Sequence, residues 1–151
     1  MIVYRISSNR FADKLQASGI ASRWNLDNQY VLYTSESRAL ACLENVVHRS
    51  MSTLQGLFKT QVILIPDSIK IEIVKEKDLP PGWNRNERFS VCKNLGSAWY
   101  VSMNTAALRV PSSLIPKESN YIISTLHPDY NKIKLLDVED FYFDPRIKTA
   151  E

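Results

Sequence analysis

An α+β fold, mostly antiparallel sheets with flanking helices, is what this sequence predicts, and three observations carry it. Stretches that alternate or run apolar at strand length outnumber stretches with helical spacing. The two kinds do not take turns as βαβαβ, so no doubly wound parallel sheet is indicated. The 151 residues hold no repeat, no low-complexity tract and no interior linker, which points to one domain over residues 1–151 with a sizeable core.

MIVYRIS at the start reads as a strand, with Ile2 and Tyr4 on one face and Val3 and Arg5 on the other. An arginine in a short apolar strand is either an edge charge that discourages aggregation or a guanidinium aimed into a cleft. Phe11 to Leu15 reads as a helical turn that Gly19 ends. QYVLYTS is a strand rich in β-branched and aromatic residues, with Val31 and Tyr33 on one face and Leu32 and Thr34 on the other.

A helix follows at once. Ser35 or Ser37 can cap it, since a short hydroxyl accepts a hydrogen bond from a first-turn amide. Ala39, Leu40, Leu43, Val46, Val47 and Met51 recur at three- and four-residue spacing and predict its buried face. Glu44 falls about 40° from Leu40 and about 60° from Val47, on the flank of that stripe. A carboxylate there either snorkels to water and pairs with a nearby arginine, or has a job in a cleft. Tyr33 is core filler with its hydroxyl at the edge, or an aromatic plane for a ligand. Arg23 beside Trp24 is a surface stack, or a cation at the lip of the cleft.

TQVILIPDSIKIEIVKE predicts two strands about a turn at Pro66, Asp67 and Ser68. The first is almost continuously apolar and is expected in the centre of the sheet; the second alternates. LPPGWNRN is a loop. ERFSVCKNLGSAWYVSMN is helical by spacing, and Gly96 inside it points to close packing against another element. ALRVPSSLIPKESNYIIST is extended, broken by Pro111 and Pro116. Ser112, between them, is a turn serine bonding its own backbone or a hydroxyl facing a cleft. HPDYNKI is a turn, and IKLLDVEDFYFDPR closes the chain as a strand at the sheet edge.

Composition excludes several functions. Hydrophobic residues are 44% and charged residues 23%, ordinary for a folded chain. The net charge of +3 is dispersed, too weak for direct nucleic-acid binding but suited to a small phosphate-bearing ligand. Cys42 and Cys92 lie in separate expected helices and read as thiols; His48 and His127 share no metal-ligand spacing with them, so no metal is expected. The N-terminus lacks a signal-peptide pattern, and VILIP is too short to span a bilayer. A cytoplasmic location with no membrane association is the expectation. There is no glycine-rich phosphate loop, no GxSxG elbow and no HExxH. Phosphates would fall to arginines, which points to Arg5 and Arg23, with Tyr33 for stacking and Glu44 for charge.

Nine segments in order resemble the RES domain family, named for Arg, Glu and Ser positions. They are VYRI, RWN at 23–25, VLYTSES-ALACLE at 31–44, LPPGW, LGSAW, VPSSLIP, E-NYII at 118–123, HPDY and FYFDPR ending at Arg146. Each is weak alone; their order over nearly the whole chain is specific. The resemblance implies an ADP-ribosyltransferase-like fold and an activity on NAD: hydrolysis, phosphorolysis, or transfer of ADP-ribose to a protein. NAD is then a substrate and no cofactor is implied. It implies a toxin restrained by an Xre-like helix-turn-helix antitoxin. Carried over by motif, Glu44, Arg23 and Tyr33 are catalytic, and Arg5, Arg23, Tyr33, Ser112 and Asn120 bind NAD. The chain departs from the family pattern at Ala21–Ser22, where a glycine is usual, and at Ser124–Thr125, where Asn-Pro is usual.

The chemistry suits these residues. Nicotinamide–ribose cleavage passes through an oxocarbenium-like state. One carboxylate can stabilise that charge, and cationic nicotinamide leaves without needing a proton. An inert binding module on the same fold is the competing expectation, which loss of any residue of the Arg–Tyr–Glu–Ser set would have favoured.

Overall fold

A computed structural model describes residues 1–49, 54, 56–85 and 89–147. Among them, seven strands join one sheet: β1 (Ile2–Ser8), β2 (Val31–Ser35), β3 (Phe58–Leu64), β4 (Ile71–Ile73), β5 (Ala107–Pro111), β6 (Ser119–Ser124) and β7 (Lys134–Phe141). Their order is β4-β5-β6-β2-β1-β3-β7. Every neighbouring pair is antiparallel except β4 with β5. Among the described residues, the helices α1 (Arg38–His48) and α2 (Phe89–Ser102) flank the sheet. The α+β expectation holds.

Hydrophobic alternation sorts the two faces of the sheet. Val3, Leu32, Ile63, Ala107, Tyr121 and Ile123 form a core on one face, with Leu15, Ala17 and Tyr130 packed against it. On the other face, α2 covers the β5–β6 half through Cys92 and Trp99, with Trp24, Trp83, Leu108, Val110 and Ile122. There α1 covers the β1–β3 half, where Ala41 packs with Ile6 and Phe58.

Between these halves the sheet is nearly split. β1 pairs with β3 along its length, from Ile2↔Leu64 to Ser8↔Phe58. It meets β2 only at Tyr4↔Ser35. Antiparallel neighbours that share so little of their ladder diverge, and the divergence opens a cleft beneath α1.

Several local expectations are corrected. β3 lies next to the sheet edge, between β1 and β7, and β2 holds the centre. The short helical turn is a 3-10 turn at Asn9–Phe11. Gly19 serves a later loop: its φ is +73, and a Cβ there would meet the Tyr30 ring at 2.8 Å. β1 has partners on both sides, so Arg5 is not an edge charge. β7 does lie at the edge, as the alternating pattern predicts.

Ser37 is the N-cap of α1, its Oγ accepting from the Leu40 amide at 3.1 Å. The buried face of α1 differs from the expected one. Leu40, Ala41 and Val46 are buried, but Leu43 is 37% exposed and Val47 54%. Glu44, Asn45 and His48 turn toward the cleft instead. The reason is that the gap between β1 and β2 is polar, so the stripe facing it is polar. Met51, and Glu87 and Arg88 at the expected start of α2, lie outside the described residues.

Candidate active site

The cleft has a volume of about 290 Å³. Its walls come from β1 (Tyr4, Arg5, Ile6), β2 (Tyr33, Thr34, Ser35), α1 (Glu44, Asn45, His48), and Asn120 of β6. Arg23 and Trp24 close it from the loop before β2.

Glu44 is the most constrained group in it. One carboxylate oxygen, Oε1, accepts from Ser112 Oγ at 2.9 Å and from Asn120 Nδ2 at 2.7 Å. The other, Oε2, lies 3.3 Å from His48 Nε2, one helical turn on. The side chain is 18% exposed. Burial alone would raise its pKa, but donors from His48, Asn120 and Ser112 outweigh that and hold it below the ordinary 4.5. The carboxylate is therefore ionised at neutral pH.

Its supports come from far along the chain. Asn120 is oriented in turn by Ser35, whose Oγ donates to Asn120 Oδ1 at 2.7 Å. Ser112 is fully buried. Its Oγ also accepts from the Leu114 and Ile115 amides at 3.1 and 3.2 Å. Ser112 is a turn serine, as one reading has it, and its hydroxyl is turned to Glu44 instead of facing the open cleft. Its hydroxyl is fully engaged, so it positions the carboxylate and does not itself line the cleft.

Ser112→Ala is expected to weaken this arrangement in a pH-dependent way. A lowered carboxylate pKa adds stability above the unfolded value of 4.5, and that stability is lost as pH falls through the lowered folded value. Loss of one donor moves the folded value up, and the stability it carries shrinks by about 1 kcal/mol. Melting of variant and wild type compared at pH 7 and pH 3 should show the larger deficit at pH 7. An equal deficit at both would mean that only the turn was damaged.

Tyr33 reaches the cleft from β2 and is tied at its tip. Its hydroxyl donates to Asn25 Oδ1 at 2.7 Å and accepts from the Trp24 amide at 3.0 Å. Burial pushes the phenol up to about 12, so it stays a neutral donor. The tie fixes the loop that carries Arg23. Close packing does the rest, because Gly96 of α2 lies directly against the Trp24 carbonyl.

Arg23 is not at the lip. It is 8% exposed, and Nη1 and Nη2 donate to the carbonyls of Trp83 and Asn84 at 3.2 and 3.3 Å. Its guanidinium lies over the Phe89 ring, 4.1 Å from the centroid, and not over Trp24. Burial lowers its pKa, opposed by Cys92, Glu44 and Tyr33. It pins the loop after Leu79 to the cleft wall and sets a positive charge across from Glu44.

Arg5 donates from Nη1 to Gln61 Oε1 at 3.1 Å. Gln61 is held by the Ala12 and Lys14 carbonyls, both at 3.0 Å. Burial lowers the Arg5 pKa; Tyr130 opposes this and the neighbouring Arg49 charge adds to it.

The structure thus brings Arg5, Arg23, Tyr33, Glu44 and Asn120 to one cleft, with Ser112 behind it. Sequence reasoning missed His48, Asn45 and Arg49. The spacing i, i+4 from Glu44 to His48 was the available signal.

The fold is similar to a chain of the crystal structure of the M. tuberculosis MbcT-MbcA toxin-antitoxin complex, with TM-score 0.75 and 15% identity over 93% of this chain and 84% of that chain. The RES domain description matches residues 2–144, and the chain belongs to the RES domain family of toxins. A relative in Sphingobium sp. (strain YBL2), named Prs ADP-ribosylating toxin, is 37% identical over 141 residues, 90% of this chain and 88% of its own. Another in Yersinia enterocolitica, named Toxin Res, is 29% identical over 98% of this chain and its whole length. Among the described residues, no helix is long and apolar enough to cross a membrane.

Proposed function

We propose that this chain is the toxin of a toxin–antitoxin pair and cleaves the nicotinamide–ribose bond of NAD. The observation that carries the reading is Glu44, an ionised carboxylate held by three donors in the wall of a cleft that also contains Arg5 and Tyr33. The bond pair leaves with the nicotinamide nitrogen, which becomes neutral. Positive charge develops at the ribose C1′ and its ring oxygen, and the Glu44 carboxylate stabilises it. The Tyr33 ring offers a face for nicotinamide. Arg23 acts by holding the 83–84 loop and through its charge, while Arg5 takes phosphate oxygens.

The acceptor at C1′ is water, phosphate or a protein side chain, and depletion of NAD follows from the first two. Transfer to a protein is the second reading, favoured by the name of the Sphingobium relative. Purified chain incubated with NAD should release nicotinamide. Product analysis with and without phosphate separates ADP-ribose from its 1″-phosphate. Adenine-labelled NAD with cell lysate shows whether label moves onto protein. Nicotinamide release absent under all three conditions would leave the inert binding module.

The same reading includes an antitoxin, for which the solved neighbour is a toxin–antitoxin complex. We expect an Xre-like helix-turn-helix protein that places an acidic group or terminal carboxylate against Arg5. Arg5 is favoured over Arg23 for that contact because two Arg23 donors already serve the Trp83 and Asn84 carbonyls. A complex structure with Arg5 open to solvent would refute this placement.

A further inference from the structure

The cleft continues past Arg5. A second cavity of about 260 Å³ runs along β1 beyond its single pairing with β2. It is lined by Ser7, Phe11, Gln16 and Ser18, and it shares Arg5 and Arg49 with the first cavity. We propose that Arg5 and Arg49 form the phosphate subsite of a dinucleotide whose adenosine half occupies this second cavity; the assignment rests on the NAD reading above.

The two arginines are the first argument. Arg5 donates to the neutral Gln61, and Arg49 Nε donates to the neutral Asn45 Oδ1 at 2.9 Å. Among the described residues neither has a carboxylate partner. Two like charges at the junction of two cavities repel each other, and a polyanion between them removes that cost with charge-assisted hydrogen bonds. The Arg49 guanidinium also lies over the Phe58 ring, 5.3 Å from its centroid. Arg23, the other arginine of the cleft, already spends donors on carbonyls. Arg49 takes the phosphate role that the sequence assigns to Arg23.

The second cavity has the chemistry of a base site. Phe11 is 46% exposed at its wall, and one side of its ring is covered by the Arg10 guanidinium at 4.9 Å. The ring supplies a stacking plane for a base. Gln16 supplies an amide donor and acceptor for a ring edge, and Ser7 and Ser18 supply hydroxyls for ribose. With Glu44 in the first cavity and the arginines at the junction, the order along the cleft is nicotinamide riboside, diphosphate, adenosine.

The test measures dissociation constants for ADP-ribose, NAD and nicotinamide mononucleotide by calorimetry, with wild type, Phe11→Ala and Arg49→Met. The methionine keeps an apolar stem and removes the charge. Phe11→Ala should weaken ADP-ribose and NAD by about tenfold or more, the scale of one lost stacking partner, and the mononucleotide much less. Arg49→Met should weaken all three, since each carries phosphate. Equal loss of mononucleotide and NAD in Phe11→Ala, or wild-type affinity for ADP-ribose in both variants, overturns the subsite. So does failure of wild type to bind ADP-ribose. A wild type that binds ADP-ribose with these selective losses but releases no nicotinamide keeps the subsite and sinks the cleavage reading.

Discussion

Glu44→Gln is expected to lower NAD turnover by roughly a hundredfold or more, the scale of losing one electrostatic stabiliser of a developing charge. NAD affinity should change little, because the loss falls only in the transition state. The variant suits the site. A glutamine Oε1 can still accept from Ser112 and Asn120, as the carboxylate Oε1 does at 2.9 and 2.7 Å. Only the oxygen facing His48 is exchanged for an amide nitrogen. Shape is kept and charge is lost. Charge-assisted bonds also count toward the fold, so a modest drop in melting temperature is expected. That is more than a surface glutamate would show, because Glu44 sits within a network and not on a solvated flank. Turnover and affinity must be measured on protein whose melting has been checked. Normal turnover by Glu44→Gln would make the carboxylate a structural group and remove the oxocarbenium argument.

Gly96→Ala is expected to be the most damaging single methyl in the chain. A Cβ at Gly96 would sit 1.8 Å from the Trp24 carbonyl oxygen and 2.6 Å from its carbon. Both atoms are backbone, so no rotamer relieves the clash, and α2 or the Trp24 loop must move. Overpacking of this kind costs about 3 kcal/mol, roughly 6–12 °C of melting temperature for a chain of this size. The effect should reach the site. Trp24 adjoins Arg23, and its amide donates to Tyr33, so turnover should fall even in the folded fraction. Gly56→Ala is the control, since its added Cβ meets only the Phe58 ring at an ordinary 3.7 Å. If Gly96→Ala melts like wild type, the contact between α2 and the Trp24 loop is not close in solution.

Much of the fold is decided locally and is legible in the chain. Period-two runs such as VYRI and VLYTS become β1 and β2 because alternation and β-branching suit a pleated sheet. Ser37 caps α1 because a hydroxyl at that position reaches a first-turn amide. Gly96 announces a close approach because a glycine inside a helix needs a reason, and the Trp24 backbone supplies it. The residue types of the site are legible for the same reason. A carboxylate, a tyrosine and arginines on adjoining elements suggest charge chemistry before any contact is known.

What spacing could not decide is which way those groups turn. Helical periodicity ranks residues by hydrophobicity, and it places Leu43 and Val47 inward and Glu44 on the flank. The structure reverses this because the surface under α1 is the gap between β1 and β2, and that gap exists only once β1 has paired fully with β3 and β2 with β6. A polar gap draws the stripe Glu44, Asn45 and His48 toward it and leaves Leu43 and Val47 outside, while Leu40 and Val46 stay buried. Arg23 is withdrawn from the lip by carbonyls 60 and 61 residues away, and Arg49 comes into position beside Arg5. Ser112 and Asn120 meet Glu44 across 68 and 76 residues. Such partners are set by sheet order, a property of the whole chain, whereas spacing reports only what lies within a few turns.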